Sequence, residues 1–158
     1  MMRHPIGYAA TCGAVAGVIG GIAEVGWIWF YSALTGSDPG IVARGVASAI
    51  GFDSQLLPPV ASGIVIHMAL AAALGVVLAI VLQPLGDVLR GVREFVAVTT
   101  ALVAVWMVNF FVILPLISPE FVEIVPLGVS LASKLLFGVA AAGCFHLVKS
   151  ARLSAIQV

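Results

Sequence analysis

Four runs of apolar residues, each long enough to cross a lipid bilayer as a helix, constrain this chain more than any other feature. A hydrocarbon core about 30 Å thick needs about 20 apolar residues in an α-helix. The runs cover about 6–34, 59–82, 95–117 and 127–148. Membrane-spanning β-strands are short and alternate in polarity. These runs are long, apolar all round and rich in Ala and Leu, so helices are expected. Composition agrees: 62% of the residues are hydrophobic and 9% charged, against about 25% charged in a soluble domain. So apolar a chain could not cover a soluble globule with polar groups. Seven basic residues balance seven acidic ones, which leaves no basic patch for nucleic acid. The expected fold is one all-α transmembrane domain over 1–158, with four transmembrane helices in an up-down bundle.

The loops set an orientation. Arg3, Arg90, Arg93, Lys149 and Arg152 fall on one side of such a bundle, and Arg44 falls on the other. The positive-inside rule puts the richer side, with both termini, in the cytoplasm of a bacterial-type inner membrane. The loop 118–126 carries two acids and no base, as an outer loop should. Arg3 and the small residues 21–23 resemble a signal peptide, but the apolar run continues through Trp27 and Trp29 to Tyr31, so the first span is expected to be retained. In the first outer loop, residues 36–40 are turn chemistry. Val42, Val46, Ala49 and Ile50 then recur at helical spacing. A short interfacial helix is expected at about 40–50, with Arg44 reaching outward to lipid phosphate.

Oil burial does not drive helix association in lipid, whereas close backbone approach does. Gly13, Gly17, Gly20 and Gly21 form a glycine-zipper-like series in the first span, and Gly138 is its counterpart in the fourth. Packing contacts are expected at all five.

The polar residues inside the spans are few, and their depths match. Glu24 lies seven residues inside Tyr31, His67 eight inside Pro59, Lys134 eight inside Pro126 and Asn109 six inside Pro115. At about 1.5 Å per residue, all four fall about 9–12 Å below the outer boundary. Charged groups at that depth face the bundle interior and pair. A Glu24–Lys134 pair is expected, with His67 and Asn109 completing its hydrogen bonds and Tyr31 on the Glu24 face two turns further out. This cluster is either a polar staple that fixes helix register or a site for a proton, ion or small solute. Pro59, His67, Ala71 and Gly75 align with Pro126, Lys134, Gly138 and Ala142 at an offset of 67, which hints at the internal repeats of transporters.

Cofactor signals are faint. His67 and His146 differ in depth by about 15–20 Å, so one haem cannot bridge them. The Gly63-xxx-His67 spacing leaves haem or chlorophyll-type ligation by His67 as a minor alternative. Cys12, Cys144 and His146, with His4 nearby, are weak candidates for a thiolate–imidazole metal site. Otherwise no cofactor or metal is expected. No GxSxG, HExxH or P-loop is present, so no enzymatic activity is expected. The favoured function is an accessory or structural subunit of a larger inner-membrane complex, contacting other membrane subunits and lipid through surfaces such as Trp106, Phe110 and Phe111. The alternative is a small oligomeric transporter or channel using Glu24, His67 and Lys134.

Overall fold

The computed structural model describes residues 5–51, 56–85, 89 and 91–156, the side chains of Pro5 and 149–156 excepted. The described residues form helices and turns, with no strand. Helix α1 spans Pro5–Thr35, α2 Ile41–Ala49, α3 Pro59–Leu82, α4 Val92–Val108, α5 Leu114–Ile117, α6 Pro119–Ile124 and α7 Leu127–Ile156. Four segments are long and apolar enough to cross a membrane: Ile6–Thr35, Pro59–Leu85, Val92–Ile117 and Leu127–Val148. The protein is therefore an all-α, multi-pass membrane protein. Arg3, His4 and Arg90 lie outside the described residues, and Lys149 and Arg152 are described only as helical backbone.

The ends of the helices follow local chemistry. Gly36, at φ +68°, takes the left-handed conformation that stops α1. Pro59 opens α3 at a position where its missing N–H costs nothing. In the third span a π-helical segment, Asn109–Ile113, joins α4 to α5. Pro115 lacks the N–H that would bond back one turn, and its ring crowds the preceding carbonyls. The wider turn accommodates it, with the Leu114 N–H bonding to the Asn109 carbonyl. The loop after this span also contains α6, which the run of residues 118–126 did not suggest.

Helix order in space differs from order in sequence. Helix α1 packs mainly against α3 and α7, and α7 packs against α4. The row is thus α3, α1, α7, α4, and the sequential neighbours α3 and α4 barely meet. Glycines in α1 set its spacing from α3. A side chain on Gly17 would strike the Ala71 carbonyl, and one on Gly13 would sit 2.5 Å from the Gly75 oxygen. Gly20 faces the other way, against the Phe137 ring of α7, while Gly21 touches Ala71 and the Met68 thioether. Gly138 packs on Thr99 of α4. Hence the pattern shared by α3 and α7 serves different partners: Ala71 meets α1, and its counterpart Gly138 meets α4.

One half of the bundle is filled by Ala16, Leu78, Val98, Leu102, Phe137, Ala141 and Phe145. At the other half α2 and α6 touch each other and bridge the ends of α3 and α5. Gly45 of α2 leaves room for the Phe121 ring of α6. Helix α2 is anchored at its start by Asp38, which accepts a hydrogen bond from the Gly40 N–H at 2.8 Å and pairs with Arg44. Arg44, expected to reach outward to lipid phosphate, is instead paired with Asp38. Its hydrogen bond, with that of Gly40, holds the Asp38 carboxyl below its ordinary pKa. The stability this adds is present above the ordinary carboxyl pKa and fades as pH falls through the lowered one. It is small, because the pair is exposed.

Candidate functional site

Glu24 is delivered to two neighbours by its place on α1. At about 100° per residue, it points about 20° from Gly17 and about 40° from Gly20, between the two. Gly17 faces α3 and Gly20 faces α7, so Glu24 projects into the seam where both helices reach it. Lys134 Nζ of α7 lies 2.8 Å from Glu24 Oε1. Ser133 donates a hydrogen bond to the same oxygen at 3.1 Å. His67 Nε2 of α3 lies 3.4 Å from Glu24 Oε2. That contact is within ionic range but is not aligned as a hydrogen bond, so Glu24 Oε2 and His67 Nε2 are both buried without a hydrogen-bond partner. Glu24 is 4% exposed. The Lys134 ammonium also sits 5.2 Å over the Phe137 ring, a cation–π contact.

This cluster forms one wall of a cavity of about 550 Å³. The void exists because α3 and α4 stand apart while α2 and α6 lie across its end. Its other walls are mostly apolar, with Val42, Val46, Leu70, Leu74, Val105 and Phe110 among them, and carry Asn109 and Ser130 as polar exceptions. Toward the filled half it ends at Leu74 and Phe137. Trp106 closes the α4 side, its Nε1–H bonded to Ser130 Oγ at 2.9 Å and its ring stacked on Phe110 at 5.6 Å. Trp27 ties α1 to α7 by donating to the Val129 carbonyl at 3.0 Å.

The remaining sequence candidates are distributed as follows. Asn109, at the start of the π-helical segment, lines the cavity but is exposed and makes no hydrogen bond to Glu24, His67 or Lys134. Tyr31 does not line the cavity; two helical turns carry it about 10 Å beyond Glu24 along α1. The space beside Gly63, which a tetrapyrrole ring would need, is filled by the Ala43 backbone of α2. Cys144 is buried, and the His146 ring lies tilted at 52° to that of Phe95, 6.4 Å between centroids. No group of three or more His, Cys, Asp or Glu residues suited to a metal occurs among the described residues.

Sequence reasoning missed Glu94, which is 4% exposed in the first turn of α4. The apolar run begins at Phe95, which puts Glu94 in the loop by hydropathy alone. The far half of the bundle does hold a second carboxylate, about 20 Å along the helix from Asn109. The apolar core around Leu102 and Phe137 separates it from Glu24. Ser133 was missed too, since a serine in a membrane helix ordinarily bonds its own backbone.

No known protein family matches the chain, and no curated protein or solved structure is detectably similar to it.

Proposed function

We propose that this protein binds a small molecule within the membrane and acts as a carrier for it, with Glu24, His67 and Lys134 as the polar wall of its site. The observation that carries this reading is the cavity itself. A polar staple needs only paired helices, and its best form is closely packed on every side. Here the pair borders a space of about 550 Å³, within the range of ligand sites, about 300–1,000 Å³. Apolar walls with a few convergent polar groups are also the usual make-up of such sites. They favour a solute with an apolar part over a bare ion. Binding is what the side chains support: the Ser133 hydroxyl and the Lys134 ammonium are both directed at the Glu24 carboxylate.

The accessory-subunit reading draws on apolar surface at Trp106, Phe110 and Phe111, but Trp106 and Phe110 are buried against each other in the bundle and Phe111 alone of the three is exposed. Any lipid-facing helix presents such a surface, so it does not favour a protein partner over lipid. The proposed setting is an inner membrane with both termini in the cytoplasm. A reporter fused after Val158 is expected to be active only as a cytoplasmic fusion; activity confined to the periplasm would reverse the topology.

Native mass spectrometry of the protein released from mild detergent tests the binding reading. The wild type is expected to retain a small-molecule adduct at one per chain. Val46→Trp, which places an indole in the cavity from α2, is expected to lose the adduct while keeping its melting temperature. A bare wild-type chain, or an adduct kept by both proteins, would count against the cavity as a binding site.

A further inference from the structure

We infer that the cavity takes a membrane-dissolved molecule with an apolar body and a single neutral hydrogen-bonding head, a hydroxyl or a carbonyl, and that this molecule reaches it sideways between α3 and α4. The inference rests on the binding reading above and adds the ligand class and the route.

The route follows from where the walls are exposed. Leu70 of α3 and Val105 of α4 both line the cavity, and they are 55% and 40% exposed. They flank the gap left by two helices that barely pack together. The end of the cavity is covered by α2 and α6, and its floor is the apolar core. The gap lies within two membrane-spanning segments, so what it faces is lipid. A molecule using it must already be dissolved in the bilayer.

The head group follows from the charges. Glu24 and Lys134 contact each other at 2.8 Å, so their opposite charges cancel within the wall. An anionic head would compete with Glu24 for Lys134, and a cationic head would compete with Lys134 for Glu24. Either would give up its own hydration without finding an unopposed counter-charge. A neutral head meets no such competition. The unused hydrogen-bonding capacity suits it. An ammonium has three donors, and among the described residues the only acceptor bonded to Lys134 Nζ is Glu24 Oε1. The Asn109 amide stands in the wall with no side-chain bond among the described residues. Glu24 Oε2 and His67 Nε2 are buried and unpartnered. A hydroxyl or carbonyl oxygen can accept from Lys134 and Asn109, and a hydroxyl proton can satisfy Glu24 Oε2 after a small shift of His67.

Tryptophan quenching in phosphatidylcholine nanodiscs tests this, using three chain-matched probes: ω-bromododecanol, ω-bromododecanoate and ω-bromododecyltrimethylammonium. Trp106 lines the cavity and is buried, so it reports occupancy; Trp29, which also borders the cavity but is 56% exposed, is replaced by Phe in every protein compared, so that quenching from the bilayer does not mask the Trp106 signal. The alcohol is expected to quench saturably, to be displaced by unbrominated dodecanol, and to act at about tenfold lower mole fraction than either ion. Asn109→Leu is expected to weaken the alcohol about fivefold. Val105→Phe, which narrows the gap, is expected to slow the onset of quenching. If an adduct is retained in native mass spectrometry but an ionic probe binds as well as the alcohol, the ligand class is overturned and the binding reading stands. If the alcohol is preferred but neither substitution alters it, the location between α3 and α4 is overturned. If no probe saturates and no adduct survives, the binding reading falls and this inference with it.

Discussion

Lys134→Met is expected to destabilise the bundle by about 3–5 kcal/mol, because it strands a carboxylate that has almost no contact with solvent. Glu24 keeps only the Ser133 hydroxyl and an unaligned His67 when the ammonium is gone. Glu24→Gln is expected to cost about half as much. The Lys134 side chain is 19% exposed against 5% for Glu24, and its ammonium retains the Phe137 ring and access to the cavity. The double variant, Glu24→Gln with Lys134→Met, is expected to recover most of the loss, since no buried charge then lacks a partner. Melting of the four proteins in one detergent makes the comparison a double-mutant cycle. Additive losses would mean that the two side chains do not act as a pair. The same double variant separates a structural role from a binding one. As a staple it would be stable and unaltered in adduct retention. As the wall of a site it would be stable and would lose the adduct.

The second large effect concerns the α1–α3 seam. Gly17→Ala is expected to destabilise the protein by about 1–3 kcal/mol, as overpacking of a close contact does, and Gly17→Leu by more. The added carbon meets the Ala71 carbonyl and the Ala72 Cα, which are backbone and cannot rotate away. Gly21→Ala meets the Ala71 methyl and the end of the Met68 side chain, which is flexible, so its effect should be milder. Gly26→Ala is the control. Nothing lies within 4 Å of a methyl there, and removing a helical glycine should be neutral or should stabilise by about 0.5–1 kcal/mol. Thermal unfolding of the three single variants checks the ranking. Equal melting temperatures for Gly17→Ala and Gly26→Ala would show that α1 and α3 are not in backbone contact.

The seam also explains why part of the site could be read from the amino-acid order and part could not. The membrane imposes one length on every spanning helix, so four apolar runs suffice to define the four spans. The apolar run 59–82 coincides with α3, while α7 continues past its apolar stretch to Ile156. A charged group in lipid must find a partner, so depth counting brought Glu24, Lys134 and His67 together. His67 and Lys134, which the 67-residue offset aligns, contact the two oxygens of one carboxylate, His67 from α3 and Lys134 from α7.

What the order of residues left open depends on which helices become neighbours. Small residues permit close approach but do not choose a partner, and Gly17, Gly20 and Gly138 meet three different helices. Only their combined packing produces the row α3, α1, α7, α4 and the gap between α3 and α4. The cavity is a consequence of that gap, so no local pattern announced it. Asn109 shares the depth of the charged pair and lines the same cavity, yet makes no hydrogen bond to Glu24, His67 or Lys134. Spans and depths are one-dimensional quantities, set by hydropathy and by the rise of a helix. Helix partners, and the empty space they enclose, are set by the fit of side chains against backbones distant in sequence, and exist only in the folded bundle.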